Sequence, residues 1–141
     1  MRNLRFCFII TIFSIFALAN VWGAGGVKII VNSSVSTVSI SAADIKSIFL
    51  QEKNSLGSSS VEPVLLKSGP THEAFLKRFV GKTDSTLLTF YRSLAFTGKG
   101  SMPKALDSDA DVIAYVAKTK GAIGYISDSS RAEGVKTLEV K

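Results

Sequence analysis

Short continuous apolar runs alternate along this chain with stretches whose apolar residues recur every three or four positions. Val27-Lys28-Ile29-Ile30-Val31-Asn32 is β-rich and closes on the turn cluster Asn32-Ser33-Ser34, so it predicts a buried strand. A helix follows: Ser41 stands as N-cap, Asp44 falls at the third helical position as in a capping box, and Ile45, Ile48 and Phe49 share one face. Leu56 to Ser60, with Gly57 and a serine run, reads as a loop. Val61 to Leu66 is a second strand in which Pro63 marks an edge or a strand start. Pro70 predicts the first position of a helix that buries Phe75, Leu76, Phe79 and Val80 and stops at Gly81.

A further helix is expected from Thr83 to Phe96, capped by Thr83 or Asp84, with Leu87, Leu88, Phe90, Tyr91, Leu94 and Ala95 as its apolar positions. Thr97 to Pro103 is too rich in Gly and Pro for a regular element. Helical spacing returns from Asp109 to Lys118 through Val112, Ile113, Tyr115 and Val116. Gly121 to Ile126 is a short buried strand, and the alternation from Val135 to Val140 fits a last edge strand. Strands separated by helices imply parallel β-α-β connections, so the expected fold class is α/β: a small, mostly parallel sheet flanked by helices.

One apolar run does not belong to that pattern. Phe6 to Ala19 is relieved only by Thr11 and Ser14, follows a short basic start with Arg2 and Arg5, and ends in small residues. These are the three parts of a secretory signal peptide. Its 14 residues fall short of the ~20 that cross a bilayer core. Residues 1–24 are therefore read as a cleaved signal peptide, cut between Ala19 and Ala24, and residues 25–141 as one domain. The chain is expected to be secreted into an oxidising compartment.

Removing that segment also removes Cys7, the chain's single cysteine, so the mature domain has no disulfide, thiol nucleophile or thiolate metal site. Losing Arg2 and Arg5 leaves 15 basic against 11 acidic side chains, a net +4. That modest charge suits small anions better than a polyanion, and no nucleic-acid partner is expected.

In a parallel sheet, ligands sit at the carboxyl ends of strands. Val61–Leu66 delivers Lys67-Ser68-Gly69-Pro70-Thr71 to that edge, where a basic side chain, two hydroxyls, a glycine and the start of a helix together form a plausible oxyanion cradle. The same residues also suit a plain helix cap, with Ser68 or Gly69 as the capping residue.

Four segments resemble the periplasmic substrate-binding proteins of phosphate ABC transporters, specifically short, single-lobe phosphate-binding-protein-like members. Ile29-Ile30-Val31-Asn32 is similar to the strand entering the second lobe. Ser41 to Leu50 is similar to the family's L-x-x-x-D-I-x-x-I-F-x-G helix. Ser68-Gly69-Pro70-Thr71 with Phe75 resembles its R-x-x-x-S-G-T phosphate loop, and Gly121 to Ile126 its G-x-I-G-Y strand.

The resemblance implies one lobe of a type II periplasmic binding protein, with inorganic phosphate or a similar oxyanion held by Lys67, Ser68, Gly69 and Thr71. It implies a membrane permease or receptor as partner, in uptake or sensing, no catalysis and no cofactor. A second copy of the chain could supply the missing jaw as a homodimer. The chain departs from the pattern in three ways: Lys67 stands near the family's arginine and cannot form its bidentate fork, Pro70 interrupts Ser-Gly-Thr, and the first-lobe loop has no counterpart. Those departures favour the alternative of a periplasmic protein-interaction or sensory module that keeps the lobe fold without binding phosphate.

The remaining candidates carry less chemistry. Gly98-Lys99-Gly100-Ser101 lacks the Walker A spacing of a nucleotide P-loop; Phe96–Pro103 resembles an F-T-G-x-G-x-x-P turn of the short family members and reads as structural, with Lys99 as a spare anion or partner contact. His72, the chain's one histidine, is expected at the surface. With no second histidine or cysteine beside it, no metal site is expected. Ser68 with His72 four residues on is not a nucleophile elbow. Asp107, Asp109 and Asp111 begin like a calcium loop without its glycine and glutamate, and are read as favouring the next helix through its dipole.

Overall fold

The computed structural model describes residues 26–141; the expected signal peptide lies outside the described residues. The continuous apolar runs form the middle of the sheet. β1 (Val27–Val31), β5 (Glu62–Leu66) and β7 (Ala122–Ser127) carry Ile29, Ile30, Val31, Val64, Ile123 and Ile126 with no exposed surface. Adjacent residues that are both buried mean that layers cover both faces of the sheet.

Two short strands, β2 (Ser39–Ile40) and β6 (Lys104–Leu106), complete the sheet with the last one, β8 (Lys136–Val140). The order is β2-β8-β1-β7-β5-β6. β2–β8, β5–β6 and β5–β7 run parallel, whereas β1 is antiparallel to both β7 and β8. The expected α/β class holds, with three of the five pairings parallel.

β8 corrects one expectation. It is an inner strand between β2 and β1 and not an edge, because the alternation that exposes one of its faces says nothing about its neighbours. The expected loop at Leu56–Ser60 is instead a hairpin of β3 (Ser55–Leu56) and β4 (Ser59–Ser60) around Gly57-Ser58. Pro63, the second residue of β5, marks a strand start in the interior of the sheet.

The helices obey their sequence signals. α1 (Ala42–Phe49) is capped by Ser41, whose hydroxyl accepts from the Asp44 N–H at 3.1 Å. α2 (Pro70–Phe75) starts on its proline and continues through a π-helical segment, Leu76–Val80, that closes where the Gly81 N–H donates to the Leu76 carbonyl at 2.7 Å. α3 (Asp84–Phe96) is capped by Thr83, and α4 (Asp109–Lys118) by Ser108.

β7 divides the helices between the two faces. At Gly124 a Cβ would meet Val112 Cγ1 at 2.9 Å, so the missing side chain is what lets α4 lie against the sheet. Tyr125, the next residue, points the other way. There its ring stacks on Phe75, centroids 3.7 Å apart, while Phe49 meets Phe75 edge-on at 4.7 Å. Tyr91 of α3 closes this aromatic core by donating to the Phe49 carbonyl at 2.5 Å. Each such fully buried side chain stabilises the fold by about 1.5–3 kcal/mol.

Candidate functional site

The parallel register of β5 with β6, Leu66 opposite Leu106, brings two strand ends side by side. Lys67 leaves β5 with its N–H on the Leu106 carbonyl at 2.9 Å. Its ammonium lies 3.1 Å from Asp107 Oδ1, in a pair whose side chains are 57% and 75% exposed. A pair so open to water contributes at most about 1 kcal/mol and is screened by salt.

Gly69 sits at φ +104° as the residue before Pro70, and its carbonyl accepts from the Glu73 N–H at 3.0 Å. An added Cβ would meet nothing within 4 Å. Glycine is therefore needed here for its backbone angle and not for space. The hydroxyls of Ser68 and Thr71 and the N–H groups of Ser68 and Gly69 make no hydrogen bond among the described residues. Lys67, Ser68, Gly69 and Thr71 thus share one turn at the carboxyl edge of the sheet, Lys67 and Ser68 exposed and Gly69 and Thr71 partly buried.

His72 departs from its expected surface position: it is only 2% exposed. It precedes Phe75 by three residues and Leu76 by four, and so lies on the apolar stripe of its helix. Its Nδ1 is 2.5 Å from Tyr125 Oη, and its Nε2 is 2.8 Å from Asp84 Oδ1. Tyr125 Oη also accepts the Leu66 N–H at 3.1 Å. Asp84 Oδ1 can only accept, so Nε2 donates to it, and an Nδ1 that carries no proton accepts from the Tyr125 hydroxyl. Burial pushes the Tyr125 hydroxyl well above its usual range, so it stays a neutral donor. Both ring nitrogens are engaged, leaving neither to serve as a base for Ser68.

The three aspartates separate into different tasks. Asp107 pairs with Lys67, while Asp109 Oδ2 accepts from the Ser127 N–H at 3.0 Å and the Ser130 hydroxyl at 2.6 Å. Asp111 stands in the first turn of α4 and donates its N–H to the Ser108 cap. Among the described residues no three His, Cys, Asp or Glu side chains gather as metal ligands. The Phe96–Pro103 turn is held in place by Gln51, whose amide donates to the Ser101 carbonyl at 2.6 Å and accepts from its N–H at 3.0 Å. Lys99 is exposed within that turn.

No protein-family model matches this chain, and no curated protein matches it. Solved structures do. One is a Clostridium perfringens protein with bound phosphate, described as a phosphate ABC transporter substrate-binding protein, at a TM-score of 0.63 and 21% identity over 82% of this chain and 44% of that one. An ABC-type phosphate transport receptor from Vibrio cholerae aligns at 0.62 and 18% identity, over 82% of this chain and 46% of the receptor. PstS from Borrelia burgdorferi aligns at 0.61 and 14%, over 82% and 47%. At these identities the likeness is one of fold. The chain spans less than half the length of each of these proteins, matching one lobe of a PstS-like binding protein.

Proposed function

We propose that this chain is a periplasmic solute-binding domain that takes phosphate or a similar oxyanion at Lys67, Ser68, Gly69 and Thr71, in the service of ABC-type uptake or sensing. The observation that carries the reading is the cluster of unengaged donors at the end of β5, on a fold shared with phosphate-binding proteins. The oxyanion accepts from the Ser68 and Gly69 N–H groups and from the Ser68 and Thr71 hydroxyls. Lys67 exchanges Asp107 for the bound charge. Lysine offers a point charge and no bidentate fork, and half a cleft leaves the ligand open to water, so the affinity is modest.

The domain acts by binding and not by catalysis. Residues 1–24 serve as its cleaved signal peptide, which N-terminal sequencing of secreted protein checks. A permease or receptor is the partner that would read the bound state. Phosphate titration of the wild type beside a Lys67→Ala, Thr71→Ala double variant tests the site. The wild type saturates and the double variant loses at least tenfold in affinity; identical curves would sink the assignment.

One observation favours a second reading, a protein-interaction or sensory module without a phosphate ligand. Phe96 ends α3 with 94% of its surface exposed, and Met102 is exposed in the following turn. An exposed aromatic followed six residues on by an exposed methionine has the composition of a docking spot. On that reading the protein ignores phosphate, and Phe96→Ser abolishes capture by an envelope partner.

A further inference from the structure

We infer that His72 and Tyr125 are positioning residues for the anion loop: through the hydrogen-bonded chain Leu66–Tyr125–His72–Asp84 they fix where Lys67 to Thr71 sit. The inference rests on the reading of that loop as the anion site.

The paired register of β5 with β7 covers Glu62 and Pro63 only. At the far end of β5, the Leu66 N–H is taken by the Tyr125 hydroxyl at 3.1 Å. The residue that begins the loop, Lys67, is therefore held on its two sides by different means: its own N–H by β6, and the preceding N–H by a side chain. Tyr125 cannot rotate freely, because its hydroxyl is hydrogen-bonded to His72 Nδ1 and the Leu66 N–H and its ring is stacked on Phe75. His72 in turn is fixed by Asp84, the first residue of α3, at 2.8 Å.

His72 also belongs to the first turn of α2, one residue beyond Thr71. The chain thus ties the residue before the loop to the residue after it, and both to α3. A phenylalanine at position 72 would fill the apolar stripe with no polar cost, whereas a buried imidazole requires every one of its partners. One partner, Tyr125, holds Leu66 at the start of the loop, and the other, Asp84, begins α3.

Amide isosteres separate the two links. His72→Asn places a carbonyl oxygen where Nδ1 stands, keeping an acceptor for Tyr125 and dropping Asp84. His72→Gln places its amide nitrogen where Nε2 stands, keeping Asp84 and dropping Tyr125. Tyr125→Phe keeps the ring and its stack, and loses only the hydroxyl.

The test is a phosphate titration of the purified wild type and these three variants, followed by the amide NMR signals of Lys67, Ser68, Gly69 and Thr71, with the imidazole nitrogens of His72 read in the free wild type. The wild type should carry its ring proton on Nε2. Tyr125→Phe and His72→Gln should bind phosphate about fivefold more weakly, the scale of one net hydrogen bond, and His72→Asn, which loses its anchor on Asp84 but keeps the link to Tyr125, should lie between them and wild type. A merely structural histidine predicts no such split between Asn and Gln.

Wild-type affinity in both Tyr125→Phe and His72→Gln, or a ring proton on Nδ1, overturns the inference and leaves the anion site standing. Wild-type loop amides that ignore phosphate overturn the anion site itself, and the inference with it. If the histidine variants fail to fold, Tyr125→Phe decides alone.

Discussion

Asn32 and His72 are the two polar side chains buried among the described residues, and they are satisfied in opposite ways. The Asn32 amide donates to the carbonyls of Val116 and Ala117 at 2.8 and 3.1 Å and accepts from the Ser34 N–H at 2.9 Å, so every partner is backbone. It ties the end of β1 to the last turn of α4, whose final carbonyls would otherwise lack donors. His72 touches no backbone through its ring; its partners are two side chains, one of them Asp84, which is 49% exposed. A closed network of backbone partners serves only the fold. One made of side chains beside a loop with free donors can be adjusted without dismantling the fold, and the proposed function lies at that end of the sheet.

Substituting Asn32 should give the largest effect. Asn32→Ala removes three hydrogen bonds and leaves two helix carbonyls without their amide donor, for a loss of about 2–3 kcal/mol. Thermal unfolding should fall by roughly 10 °C while phosphate affinity, measured below the transition, stays at the wild-type value. A matching loss of affinity would erase the distinction between the two networks.

Asp107→Ala should act at the other end with little effect on stability. Freeing Lys67 from an exposed pair worth at most about 1 kcal/mol should tighten anion binding by up to about fivefold at low salt, fading as salt is raised. Calorimetric titration at two ionic strengths checks it, and weaker binding would mean that Asp107 orients Lys67 instead of competing for it.

The smallest effect belongs to a pair outside both networks. The hydrogen bond from Lys53, 2.9 Å away, holds the Asp44 carboxyl below its ordinary value of 3.8. A lowered folded-state value contributes stability that is fully present above pH 3.8 and is lost as pH falls through that lower value. Because both side chains are more than a third exposed, screening leaves only a few tenths of a kcal/mol. Asp44→Asn should therefore fall slightly below wild type in urea unfolding at pH 6, and the gap should shrink as pH is lowered below 3.8.

Much of this fold was legible where local chemistry is strong. Ser41, Pro70 and Thr83 announced their helices, and the runs at Val27, Val61 and Ala122 announced the inner strands. β2, with two residues, and β6, with three, are too short to show a period, so the neighbours of β8 and β5 stayed hidden. The candidate loop was legible because its residues are contiguous. Its setting was not: the Lys67–Asp107 pair exists only through the β5–β6 register, and His72 meets Tyr125 from 53 positions away. The spacing of His72 from Phe75 and Leu76 was the available sign that the histidine is buried.

The central claim, that this single lobe is an oxyanion receptor, is tested most directly by thermal unfolding of the purified protein in millimolar phosphate, against sulfate and chloride at matched ionic strength. Ligand at 100 times its dissociation constant adds about 2.7 kcal/mol, which raises the midpoint by on the order of 10 °C for a domain of this size. The account predicts a rise with phosphate or sulfate that chloride does not give. A midpoint that moves equally in all three salts would contradict it.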